Sequence, residues 1–326
     1  MQVDFVKGHC GFDAVTLLPA GQIPHAHELE AALRILAPPL AGGLEVGFLE
    51  PGERADEIRL RMVDSTARTW IPMCGGMSQV IGKALVETFF RERFQVDVSR
   101  AHQEIRLCTP AGVVPIVVDI DGRRVVRVTS LMDSFASYLY DSGVEFVTVE
   151  GCRLLRLGDY CVFALDELAR AHPGLDFTRR DAGPSLEVVN RMLARFAKRY
   201  SRECGVVGMM YDAHPEGAGD YRVYPRLYSP DLAAARLPYE FQCGTGAVAV
   251  GIALTMQGLL PPQAQGAVVF EWGSQRSTPD PYGIRTSYLE YQTNAGRLVR
   301  MSFSHSVVEI LAEGRLTLPD YECASG

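Results

Sequence analysis

At 326 residues the chain is long enough to bury a large core and to form two lobes rather than one. A net charge of −7 leaves no basic field for nucleic acid or anionic lipid, so neither is expected as a partner. The opening Met1-Gln2-Val3-Asp4-Phe5-Val6-Lys7 lacks a charged region followed by an apolar run, and no stretch approaches the ~20 apolar residues of a membrane span, so a cytoplasmic protein is expected.

In chain order, a Gly-rich turn at Gly8-His9-Cys10-Gly11-Phe12-Asp13 opens the sequence, and helical periodicity follows over 27–36. Alternating apolar segments predict strands at 45–49, 58–63, 104–108, 113–118, 124–129, 146–149 and 153–157, with Asp121-Gly122 as a hairpin turn. Further helices are expected over 77–90, 186–200 and 247–259, and strands at 297–302 and, with a turn at Glu313-Gly314, over 307–318. This is an α+β pattern rather than regular β-α-β alternation. The first lobe is expected over 1–135, completed by returning strands within 297–318, and the second over 136–296; the junction falls near 130–142.

Eight cysteines lie at 10, 74, 108, 152, 161, 204, 243 and 323, with no Cys-x-x-Cys pair, which argues against a zinc ribbon or a disulfide scaffold. Cys152, Cys161 and Cys204 sit among apolar residues and are expected to pack as small hydrophobes. Two others stand out. Pro72-Met73-Cys74-Gly75-Gly76-Met77-Ser78 and Gln242-Cys243-Gly244-Thr245-Gly246-Ala247 both place a cysteine before small residues and a helix, one per half of the chain, as a duplication would. The first amides of a helix lack intrahelical partners, and the dipole favours a thiolate there. The same amides suit a carboxylate. A cysteine beside a glycine is often mere close packing, but two in half-chain symmetry favour a paired-thiol site.

These residues resemble the diaminopimelate epimerase and proline racemase superfamily. Met73-Cys74-Gly75-Gly76 is similar to its Met-Cys-Gly-Asn element, Cys243-Gly244-Thr245-Gly246-Ala247 to its Cys-Gly-Thr-Gly element, Gly8 to Asp13 to its first turn, and Arg222-Val223-Tyr224-Pro225-Arg226 to its Arg-Val-Tyr-Glu-Arg segment. The resemblance implies two pseudo-symmetric lobes, each a strand-rich barrel-like sheet around a central helix. It also implies an amino-acid racemase or epimerase that needs no cofactor and no metal, with Cys74 and Cys243 catalytic. Gly75, Gly76, Gly244, Thr245, Arg226 and Asp13 would bind a small amino-acid substrate, and a homodimer is compatible with this.

The departures bear on substrate. The family's asparagines are Gly76 and Phe12 here, the glutamate before the gripping arginine is Pro225, Arg226 lies about twice the usual distance before Cys243 with an insertion through 229–237, and Gly158-Asp159-Tyr160 replaces a Gly-Asn-Pro-His turn. These changes argue against diaminopimelate itself. Inversion of an α-carbon needs a base on one face and an acid on the other, which a thiolate and a thiol can supply with their roles exchanged for the other enantiomer. The alternatives are a double-bond isomerase of an unsaturated carboxylic acid on the same fold and a metal-binding or redox-sensing protein; for a metal, only His9 and Cys10 offer themselves as further ligands. Among other side chains Thr245 has the best case, ahead of His9, Asp13, Ser78 and Glu240, while Lys83 is expected to be a solvated side chain and Trp70 part of a core.

Overall fold

The computed structural model describes residues 1–326 apart from 11, 12, 66, 67, 96, 98, 159, 178–183, 201–206, 212, 216–220, 224, 225, 229–242, 273–284 and 322–326. The chain divides into two compact units, Met1–Leu131 with Val307–Gly326, and Met132–Ser306. Of the two terminal strand segments, 307–318 therefore lies in the first unit and 297–302 in the second. The reason is pairing: Arg297–His305 aligns antiparallel with Arg285–Asn294, whereas Val308–Thr317 aligns with Gln2–Cys10 as one strand, in which Glu313 and Gly314 pair Val6 and Phe5 instead of forming the expected turn.

In the first unit the strands are β1 (Gln2–Cys10), β2 (Asp13–Pro19), β3 (Glu45–Pro51), β4 (Glu57–Asp64), β5 (Thr69–Ile71), β6 (His102–Thr109), β7 (Gly112–Asp121), β8 (Arg124–Leu131) and β19 (Val308–Thr317). They run in the order β8-β7-β6-β4-β3-β2-β1-β19, with β5 beside β4. The β7–β8 hairpin turns at Asp121-Gly122, where Asp121 pairs Arg124 and Gly122 takes a positive φ of 63° that a side chain would disfavour. Helix α1 (Glu28–Leu36) lays Ala31, Ala32 and Ile35 on one apolar cluster with Val46, Phe48 and Val63. Helix α2 (Gly75–Glu87) packs on β1, β2, β7, β8 and β19, strands from both ends of that order, so the sheet curls around it. The short α3 (Phe90–Phe94) follows.

The second unit holds α4 (Asp133–Asp141), β9 (Val144–Val149), β10 (Cys152–Leu157), β11 (Tyr160–Ala164), α5 (Leu165–Ala171), α6 (Pro184–Tyr200), β12 (Val207–Tyr211), β13 (Ala213–Pro215), β14 (Tyr221–Val223), β15 (Arg226–Tyr228), α7 (Gly244–Met256), β16 (Ala264–Trp272), β17 (Arg285–Asn294) and β18 (Arg297–His305). One set of strands orders as β15-β12-β11-β10-β9 and the other as β13-β14-β16-β17-β18. Strand alternation sends Cys152, Leu154, Cys161 and Phe163 into an apolar cluster with Leu168, Val189, Met192 and Phe196 of α5 and α6. Helix α7 packs against β11, β12, β17, β18 and α4.

Each unit is thus a curved, strand-rich layer around one buried helix. Every residue of α7 from Gly244 to Thr255 is buried, as is α2 from Gly75 to Val86 except Lys83. A helix apolar on all sides belongs in a core. Among the described residues no helix is long and apolar enough to cross a membrane.

Candidate active site

Both central helices begin in the same way. Cys74 is the N-cap of α2 with φ −131° and ψ 122°, and Cys243 is the N-cap of α7 with φ −136° and ψ 124°. Each sulfur accepts the backbone N–H three residues on: Met77 N–H lies 3.2 Å from Cys74 Sγ, and Gly246 N–H 3.4 Å from Cys243 Sγ. This is the position where Ser, Thr, Asp or Asn normally accept such a bond. A neutral thiol is a weak acceptor, so this contact is better satisfied by a thiolate.

The intrahelical ladder opens with Ser78 N–H to the Cys74 carbonyl at 3.2 Å and Ala247 N–H to the Cys243 carbonyl at 2.8 Å. The amides of Gly75, Gly76, Gly244 and Thr245 precede those bonds, on the first turn where helix geometry provides no acceptor. Small residues there leave the backbone approachable. Cys74 is 4% exposed, and Cys243 is half-buried.

The surroundings of the two sulfurs differ. Thr245 Oγ1 lies 3.1 Å from Cys243 Sγ and accepts a hydrogen bond from the Tyr160 hydroxyl at 2.7 Å. At the matching place in α2 stands Gly76. Ser78, buried in the first turn, donates to the Gly75 carbonyl at 2.6 Å and shares a 2.6 Å hydrogen bond with Ser130 Oγ of β8, which ties the helix to its sheet. In the sequence Tyr160 stood out only as part of the altered Gly158-Asp159-Tyr160 turn, with no role assigned to its side chain. Its place follows from alternation along β11, since Cys161 and Phe163 enter the α5–α6 cluster and Tyr160 must face the other way.

The remaining candidates separate by place. Asp13 begins β2 with its backbone opposite Cys10, and Arg226 begins β15 with its backbone opposite Met210; both side chains lie outside the described residues. Phe12, Asp159, Pro225, Cys204, Glu240 and the insertion 229–237 lie outside them as well. His9 Nε2 sits 2.8 Å from Glu309 Oε2, and the buried Cys10 thiol donates to Gln79 Oε1 at 3.6 Å. Among the described residues no group of three or more His, Cys, Asp and Glu side chains could hold a metal ion. Lys83 Nζ is 3.6 Å from Glu87 one turn on, and Trp70 packs tilted on Phe48 at 5.9 Å.

The other cysteines are chemically distinct. Burial pushes the Cys161 thiol far up from its ordinary value, and burial followed by the charge of Glu167 raises Cys152. Cys108 is raised by burial and by Glu57. Burial thus disfavours the thiolate form at all three.

The molecule is an α+β protein in which each of two units wraps its strands around a buried, cysteine-capped helix. That fold is shared by solved structures of a hydroxyproline epimerase and a probable proline racemase. The chain is similar to a hydroxyproline epimerase from Agrobacterium vitis with bound trans-4-hydroxy-L-proline, with a TM-score of 0.64 and 16% identity over 98% of this chain and 93% of that one. It is similar to a probable proline racemase from Agrobacterium radiobacter with bound carbonate, at a TM-score of 0.61 and 15% identity over 97% of this chain and 93% of that one. A methylitaconate-delta-isomerase gives 0.58 and 11%, over 100% and 99%. No protein-family model and no curated protein sequence matches the chain.

Proposed function

We propose that the chain is an isomerase, a cofactor-independent amino-acid racemase or epimerase in which Cys74 and Cys243 are the two proton carriers. The observation that carries this reading is the matched N-cap geometry of two cysteines, one per unit, each accepting a backbone amide on sulfur. One sulfur, as thiolate, takes the α-proton and becomes a thiol, and the electron pair left on carbon spreads into the substrate carboxylate. The other sulfur, as thiol, gives its proton to the opposite face and becomes a thiolate. Nothing is oxidised or reduced, and the enzyme ends in the complementary protonation state, ready for the other enantiomer.

The growing charge on the carboxylate is the part that needs stabilising, and the first-turn amides of Gly75, Gly76, Gly244 and Thr245 are suited to it. Arg226 and Asp13 are the further candidates for the charged groups of the substrate. The likeness to the hydroxyproline epimerase and the proline racemase supports a small amino acid rather than diaminopimelate. Incubation of proline, hydroxyproline and other free amino acids with the protein in deuterated water tests this, with α-deuterium followed by NMR. Incorporation with loss of optical rotation is expected for at least one of them; incorporation into none would end the reading.

The methylitaconate-delta-isomerase likeness favours a second reading, the shift of a double bond in an unsaturated carboxylic acid, which needs one acid and one base but no inversion. Deuterium entering the allylic carbon of such an acid, with no exchange into any amino acid, would select it.

A further inference from the structure

Two side chains of the second unit line up on one sulfur. The Tyr160 hydroxyl donates to Thr245 Oγ1 at 2.7 Å, and Thr245 Oγ1 is 3.1 Å from Cys243 Sγ. A hydroxyl carries one proton and two lone pairs, and a thiolate only accepts. When Cys243 is a thiolate, the line has one possible polarity: Tyr160 donates to Thr245, and Thr245 donates to sulfur. Once the sulfur is protonated, the S–H can turn toward Thr245 while the Tyr160 bond stays as it is. The arrangement therefore serves both protonation states and rewards the charged one.

The tyrosine is held where this requires. Strand β11 is paired on both sides, Tyr160 opposite Leu157 of β10 and opposite Val207 of β12, so its backbone is fixed. With Cys161 committed to the apolar cluster behind the sheet, Tyr160 faces α7. Its ring meets Phe135 of α4 edge-on at 6.2 Å and 79°, which sets the direction of the hydroxyl. Thr245 occupies the second position of α7 and is 3% exposed.

Resting on the two-thiol reading of the site, we infer that Tyr160 is a positioning residue for Cys243: its hydroxyl turns the Thr245 proton onto the sulfur and sets the reactivity of that thiol, not of Cys74. The corresponding position in α2 is Gly76, which has no side chain to relay such a bond.

The test needs no substrate. Tyr160→Phe removes one oxygen and keeps the ring against Phe135. Iodoacetamide labelling is followed cysteine by cysteine with mass spectrometry across the neutral to alkaline range. In Tyr160→Phe, Cys243 should react about three- to tenfold more slowly at neutral pH, with its profile displaced to higher pH, while the Cys74 profile stays in place. Thr245→Val should displace the Cys243 profile at least as far, Thr245→Ser should leave it near wild type, and adding Tyr160→Phe to Thr245→Val should do nothing more, because the inferred effect of the tyrosine passes through the threonine. An unmoved Cys243 profile in Tyr160→Phe would overturn the inference, as would equal displacement at Cys74 or additive effects in the double variant. Should Tyr160→Phe fail to fold, an unchanged profile in Thr245→Val overturns it equally. If labelling shifts as described but no amino acid exchanges its α-proton, the relay stands and the racemase reading falls.

Discussion

Cysteine is an uncommon helix N-cap, because a thiol accepts hydrogen bonds poorly where a hydroxyl or carboxylate accepts them well. Its presence at the head of both central helices, with the amide three residues on directed at sulfur, suits the proposed role of each sulfur as a proton carrier. Elsewhere in the chain burial disfavours the thiolate at Cys152 and Cys161. Labelling of the folded protein with iodoacetamide at neutral pH should accordingly modify Cys243 at least about tenfold faster than either of these two, as peptide mapping would report. Faster modification of Cys161 than of Cys243 would contradict the assignment. A second consequence of the proposed function concerns substrate choice. The sequence carries Gly76 and Pro225 where the family it resembles carries asparagine and glutamate, and a distal amino-carboxylate buried without partners is costly. Diaminopimelate should turn over at least about a hundredfold more slowly than the best small amino acid, measured as kcat/KM.

At the scale of elements, α2 and α7 carry more than a shared cap. Each has a glycine eight residues after its cysteine, Gly82 and Gly251, followed by Ala84-Leu85 and Ala253-Leu254. Both glycines are points of close approach. A Cβ on Gly82 would come within 2.7 Å of Val128 Cγ1 and 3.2 Å of Ile116 Cδ1, and one on Gly251 within 2.7 Å of Leu289 Cδ2 and 3.1 Å of Leu298 Cδ1. Alanine gains about 1 kcal/mol in helix propensity, but overpacking costs about 1–3 kcal/mol. The stiff Val128 stem should make Gly82→Ala a net loss of about 1 kcal/mol, whereas the flexible leucine ends should leave Gly251→Ala closer to neutral; thermal unfolding of both variants checks the order. Much of this was legible in the sequence. The expected strands at 45–49, 58–63, 113–118 and 153–157 appear with ends extended by at most three residues, as β3, β4, β7 and β10. Both cysteine helices start two or three residues earlier than expected from periodicity, because apolar spacing marks the body of a helix while the start depends on the cap. Helix α4 was not legible: it buries only Phe135, Ala136 and Leu139 over two turns, in a segment that the sequence suggested as a junction. The altered turn at Gly158-Asp159-Tyr160 was legible, but the contact of Tyr160 with Thr245 was not, since that partner lies far along the chain on another element.

At the scale of the whole molecule the chain leaves its first unit after Leu131 and returns at Val307. Alternation in the terminal segments announced strands, but alternation does not name a strand's partner. Register does: β19 pairs β1 from Gln2↔Thr317 to Cys10↔Val308 and covers α2. A chain ending at Ser306 would leave β1 as an open edge and uncover the α2 helix, so it should lose the soluble folded first unit, seen as aggregation or a missing unfolding transition. Retention of full solubility and both transitions would show that β19 is dispensable. Under the proposed mechanism the return strand matters to function, because each unit carries one thiol and each thiolate takes the proton from one enantiomer. The most direct measurement is therefore racemisation of the amino acid that wild-type protein exchanges in deuterated water, repeated with Cys74→Ala and with Cys243→Ala. Each substitution should lower turnover by about 10²–10⁴-fold while the fold is retained; near wild-type turnover in both variants would contradict the two-thiol account.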